Sequence, residues 1–137
     1  MDLDLYQIET AQVAKEQGAI LDEAREKILS GIALSRLEKN GVLHALQILI
    51  ENAIGKTKQL LKAKGEPVPV SAYDAFSALA RVKLLTENEL SQWNAIIGLR
   101  NRIVHEYMNI DMAQVIELVK LNKHQFVVDF LLAPIED

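Results

Sequence analysis

The sequence contains no cysteine, so no disulfide framework holds it together and no thiolate is available as nucleophile or metal ligand. Its three histidines, His44, His105 and His124, are scattered along the chain and leave no spacing that builds a Cys/His zinc site. Aromatic residues make up only 5% of the chain, and the apolar residues are mostly Leu, Ile, Val and Ala, a set that suits packed helices better than a sheet sandwich. No apolar run approaches the ~18 residues that a membrane span needs. The acidic start, Met1-Asp2-Leu3-Asp4, lacks the basic and apolar regions of a signal peptide. The expectation is a cytoplasmic protein that meets no membrane. A positive excess is missing too: the formal net charge of -4 argues against coating nucleic acid by charge alone, while leaving room for a local basic cleft.

What the chain does contain is helical periodicity. At 137 residues it suits one helical domain spanning 1–137, large enough for one core and too short for two. Leu21, Ala24, Ile28, Leu29 and Ile32 recur at three- and four-residue steps, so residues 5 to 38 read as helix, interrupted near Gly18 or Gly31. A second stripe, Leu43, Leu46, Ile50, Ala53, Ile54, Leu60 and Leu61, predicts a helix from Val42 to Lys64, closed by Gly65. Two prolines in Glu66-Pro67-Val68-Pro69-Val70 exclude helix there. Ser71 with Asp74 starts a short helix to Lys83, and Thr86 with Glu89 starts a longer one to Met108. Asp111 caps a last helix that ends before Pro134. The fold class is therefore all-α, a bundle of about five helices.

One residue interrupts the apolar face of the fourth helix. At 100° per residue, Trp93, Ile96, Ile97, Ile103, Val104 and Tyr107 all fall within about 60° of Arg100. A guanidinium in mid-stripe is costly unless it meets a carboxylate, a phosphate or a polar cleft, because it cannot shed its charge. Glu51, at the edge of the second helix's stripe, is a candidate for the plain account, a buried ion pair. The functional account rests on the company Arg100 keeps. Asn101 and His105 are four apart, so they can hydrogen-bond and orient the imidazole. Tyr107 falls two turns beyond Arg100 on its own face. His105 lies about 140° around the helix from Arg100, so the two cannot converge on one atom from one straight helix. A two-fold dimer that pairs this helix with its copy would bring them together, and Gly98, expensive in a helix interior by ~1 kcal/mol, could admit the partner's backbone.

The string Gly98-Leu99-Arg100-Asn101-Arg102-Ile103-Val104-His105-Glu106-Tyr107 resembles the HEPN superfamily signature, an Arg followed by a polar residue and, four residues after that polar residue, a His. Its Tyr, two after the His, is similar to the HepT-like toxins that pair with a minimal nucleotidyltransferase antitoxin. The Pro-containing loop and the Ser71 to Phe76 stretch also match that layout, over residues 40 to 112. The resemblance implies a homodimeric endoribonuclease that needs no metal and no cofactor. His105 would be its acid or base, Arg100 the group that neutralises phosphate charge, and Asn101 the residue that holds His105. It also implies that a cognate nucleotidyltransferase silences the toxin by adenylylating Tyr107. The alternative is a non-catalytic module that docks a nucleotidyltransferase or a nucleotide.

The remaining candidates carry less. Gly55-Lys56-Thr57 looks like the tail of a phosphate-binding loop, but Ile50 stands where that loop needs glycine. His44 and His124 read as ordinary histidines of helix surfaces or core edges, and Trp93 as core rather than a stacking platform for bases. Arg102, with Arg81 and Lys83, could rim a cleft for RNA, although scattered cations usually mean solvation only.

Overall fold

In the computed structural model, which describes residues 3–135, the chain is all-α. Six α-helices follow in order: α1 (Leu3–Leu29), α2 (Arg36–Ala63), α3 (Ala72–Arg81), α4 (Glu87–His105), α5 (Met112–Lys120) and α6 (His124–Leu132), with a 3-10 turn at Tyr107–Asn109 between α4 and α5. No described helix is long and apolar enough to cross a membrane.

The helix boundaries correct the sequence reading at the α1–α2 junction, within the last helix and at the end of α4. The first helix stops at Leu29 rather than 38, because Gly31 takes the left-handed conformation (φ 75°) and ends it. α2 then starts at Arg36 instead of Val42, on a capping box in which Ser35 accepts from the Glu38 amide while Glu38 accepts from that of Ser35. Gly18, the other candidate break, lies buried inside α1, where an added Cβ would come within 3.2 Å of Val128 Cγ2; it is a point of close helix packing. The single last helix is two, split where Asn122 turns left-handed (φ 61°), a conformation its short polar side chain tolerates. The third correction concerns α4, which ends at His105 and not at Met108. Other signals hold: Ser71 and Thr86 accept from the amides three residues on, the latter in a full capping box, and Gly65 (φ 72°) follows the end of α2.

α2 is the central element and packs against α1, α3, α4 and α6. Trp93 is fully buried where α3, α4 and α6 meet. Its ring stacks on Phe76 at 4.5 Å and meets Phe126 and Phe130, each at 4.9 Å. The α1–α6 contact is pinned by buried His124, whose Nε2 lies 3.0 Å from Asp22 Oδ1.

Lys56 is no part of a phosphate loop. Buried in the interior of α2, its ammonium group donates to the carbonyl oxygens of Phe130 and Ala133, both at 2.5 Å, and so caps the C-terminal end of α6, where the helix dipole favours a cation. Burial nevertheless lowers its pKa from 10.5 to about 8. A neutral amine still carries enough N–H bonds for both carbonyls, so deprotonation strands neither. Between pH 8 and 10.5 the unfolded chain therefore binds a proton that the folded chain does not, and this group's contribution to stability rises with pH through that window and is lost as pH falls through 8. Urea denaturation should show the wild type gaining on Lys56→Met from pH 7 to 10, by up to about 3 kcal/mol at some 1.4 kcal/mol per unit. Parallel pH profiles would contradict this.

Candidate functional site at the end of α4

One face of α4 packs on the core, with Trp93, Ile97, Leu99 and Ile103 buried. Towards its C-terminus the helix emerges from the bundle, so that Val104 is 42% exposed although it falls on the apolar stripe, and His105, the last helical residue, is exposed as well. Arg100 lies on the core side of this emerging end and is half-buried.

Arg100 does not form the ion pair that the plain account requires. Glu51 is exposed, and the hydrogen bond its carboxylate accepts comes from Gln47, at 3.3 Å. Among the described residues the ion pairs are Lys27 with Glu38 and Asp22 with His124. Arg100 Nε is buried without a hydrogen-bond partner. A guanidinium that is half out of water, with no carboxylate on it among the described residues, keeps its charge available to an incoming anion.

The structure separates the motif's other members. Asn101 is half-buried and, among the described residues, makes no hydrogen bond to His105. Tyr107 has left the helix. Glu106 caps α4 through its backbone N–H to the carbonyl of Arg102, and Tyr107 opens the 3-10 turn, so it does not continue the face of Arg100. Its phenol is 44% exposed and donates a hydrogen bond to Asn40 Oδ1 at 2.7 Å. Asn40, an exposed residue of α2, was not legible as a partner, because 67 residues separate the two. The contact also sets the end of α4 beside the start of α2, so these helices run antiparallel.

Arg102 is exposed and borders a groove of about 640 Å³ between α4 and the α5–α6 pair, lined by Ile96, Leu99, Leu118 and Phe126. Arg100, Asn101, His105 and Tyr107 do not line it. The motif and the groove are therefore separate features of the chain. A Cβ on Gly98 would meet the Tyr73 hydroxyl at 3.5 Å and Arg102 Nη1 at 3.7 Å, which are ordinary contacts; within the chain no backbone demands glycine there. Trp93, at 0% exposure, offers no face to a base. Among the described residues no three His, Asp or Glu side chains gather where they could hold a metal ion.

Comparison with known proteins places this arrangement. A family model described as ribonuclease HepT-like matches residues 14–126. The chain is 31% identical over 81 residues to a tRNA nuclease HepT of Aphanizomenon flos-aquae (strain 2012/KM1/D3), covering 59% of this chain and 55% of that protein. It is 26% identical over 88 residues to an mRNA nuclease HepT of Shewanella oneidensis, covering 64% of this chain and 66% of that protein. The match thus spans between half and two thirds of the length of each relative. Two solved structures share the fold. One is a toxin–antitoxin crystal structure with AMP-PNP, at TM-score 0.76 and 19% identity, covering 92% of this chain and 97% of that one. The other is a tri-AMPylated Shewanella oneidensis HEPN toxin in complex with MNT antitoxin, at TM-score 0.75 and 20% identity, covering 92% and 96%.

Proposed function

The chain belongs to the HepT-like ribonuclease family, and on that premise we propose that it is the toxin of a toxin–antitoxin pair, an endoribonuclease silenced by adenylylation of Tyr107. It acts in the cytoplasm, as a homodimer, without a metal ion. The observation that carries this reading is Arg100 near the exposed end of α4 that carries His105, with no carboxylate paired to it among the described residues.

The residues divide the chemistry between them. His105 takes the proton of a ribose 2′-hydroxyl, or returns one to the leaving 5′-oxygen. Arg100 neutralises the charge that grows on the non-bridging phosphate oxygens, a task suited to a guanidinium that is half out of water and cannot shed its charge. Asn101 steadies His105 in the assembled cleft, and exposed Arg102 contacts the RNA backbone. Because Arg100 and His105 point about 140° apart on α4, the working cleft needs a second copy of the helix, with arginine and histidine contributed across the two-fold axis. That these four residues stand outside the groove between α4 and the α5–α6 pair fits that requirement.

Adenylate on Tyr107 would place a phosphate and a nucleoside two residues from His105, where both charge and bulk oppose RNA. The partner that installs it is a minimal nucleotidyltransferase. Incubated with that transferase and ATP, the wild type should gain adenylate by intact-mass analysis, and Tyr107→Phe should gain none while continuing to cleave RNA. Equal modification of both proteins would move the site elsewhere. A Tyr107→Phe protein that is folded yet binds the transferase without ever cleaving RNA would favour a non-catalytic docking module.

A further inference from the structure

Tyr107 is held from outside the motif. The hydrogen bond from its hydroxyl to Asn40 Oδ1, at 2.7 Å, ties the 3-10 turn after α4 to the first turns of α2. Apart from this contact the turn has little to fix it. None of its residues is buried, Met108 is 89% exposed, and its own backbone bond runs from Asn109 N–H to the carbonyl of Glu106. The capping box of Ser35 and Glu38 secures the end of α2 on which Asn40 stands, so the acceptor sits on the rigid side of the contact and the tyrosine on the yielding side.

We infer that Asn40 is a positioning residue for Tyr107, which docks the turn on α2 and fixes the hydroxyl for nucleotide transfer. The amide oxygen of Asn40 cannot donate, so in this bond the phenolic hydrogen points towards α2 and the oxygen's lone pairs point away from it. The hydroxyl of this exposed tyrosine thereby offers its nucleophilic side to an approaching α-phosphorus. In the transfer, the bond from Tyr107 Oη to the α-phosphorus forms and the bond from that phosphorus to the bridging oxygen of the β-phosphate breaks. Pyrophosphate leaves with the electron pair, and the phenolic proton passes to solvent.

The product then differs in a way Asn40 registers. An aryl phosphate ester has no hydroxyl hydrogen, so Asn40 Oδ1 loses its donor and the hydrogen bond from Tyr107 to it cannot re-form. Modification thus adds charge beside His105 and also releases the turn that follows it.

The role in transfer rests on the adenylylation reading, whereas the docking of the turn does not. Two variants, Asn40→Leu, which has no acceptor, and Asn40→Asp, which keeps an oxygen in place, are compared with the wild type. Hydrogen exchange at residues 106–110 is measured on the unmodified proteins, and initial rates of adenylate addition are measured with the transferase over a range of ATP. The expected result is faster exchange in Asn40→Leu and a fall of about fivefold in kcat, the size of one neutral hydrogen bond, with KM for ATP unchanged and Asn40→Asp restoring both. Unchanged exchange in Asn40→Leu would overturn the inference whatever happens to transfer. Altered exchange with wild-type kcat would overturn the positioning of the hydroxyl, and a wild type that takes no adenylate at all would instead overturn the adenylylation reading, with exchange still deciding the clasp.

Discussion

Replacing His105 by alanine should lower RNA cleavage by about 10²- to 10⁴-fold, the loss expected when a positioned acid or base is removed, and Arg100→Ala by about 10²- to 10³-fold, the loss of a donor aimed at developing charge. Both variants should remain folded. His105 is exposed at the last position of α4, so its truncation removes at most a favourable interaction with the helix C-terminus, about 1 kcal/mol. Arg100 is the sharper case. Had it been one partner of a buried ion pair, its removal would cost about 3–5 kcal/mol by stranding the opposite charge. Among the described residues no carboxylate pairs with it and its Nε is buried unsatisfied, so truncation strands none of them and removes a donor that folding leaves without a partner. Initial cleavage rates on a labelled RNA and thermal melting, run on the same preparations, separate the two accounts. A strong fall in melting temperature with Arg100→Ala would make the arginine an anchor of the bundle.

The largest effect on stability should come from Trp93→Ala, at about 3–5 kcal/mol. The indole is fully buried and packs against rings from α3 and α6 at once: Phe76 at 4.5 Å in a stacked arrangement, Phe126 at 4.9 Å tilted and Phe130 at 4.9 Å edge-on. Truncation opens a cavity bordered by three aromatic rings that cannot close over it without moving two helices, and it forfeits ring–ring interactions of about 0.5–1.5 kcal/mol each beyond simple burial. Trp93→Phe should keep most of the stability and all of the RNA cleavage. Chemical denaturation of the two variants tests the first statement, and cleavage by Trp93→Phe tests the second, since a tryptophan that stacked on bases would lose activity out of proportion to stability.

The helices that the sequence revealed are those with chemistry at both ends. Thr86 and Glu89 announce α4, Ser71 announces α3, and Gly65 closes α2, because each of these residue types meets a backbone need that few others meet. Ser35 and Glu38 carry the same signal for α2, but the apolar rhythm of Leu29 and Ile32 runs on past Gly31 and hides it. The end of α4 at His105 and the break at Asn122 have neither glycine nor proline to mark them, so periodicity alone carried those helices too far. The motif was legible as a string. Its geometry was not: Tyr107 leaves the helical face it was expected to share with Arg100, and its hydrogen-bond partner lies on α2, where no local pattern points to it. The burial of Lys56 was equally hidden, since nothing near it in the chain indicates that its ammonium group meets the carbonyls at the end of α6.

RNA cleavage by one preparation of this protein, followed while its nucleotidyltransferase and ATP convert it from the unmodified to the fully adenylylated form, tests the central claim most directly. The account predicts cleavage at the start and a loss in proportion to the adenylate found on Tyr107 by mass. Undiminished cleavage by fully modified protein, or none by unmodified protein that is folded and dimeric, would contradict it.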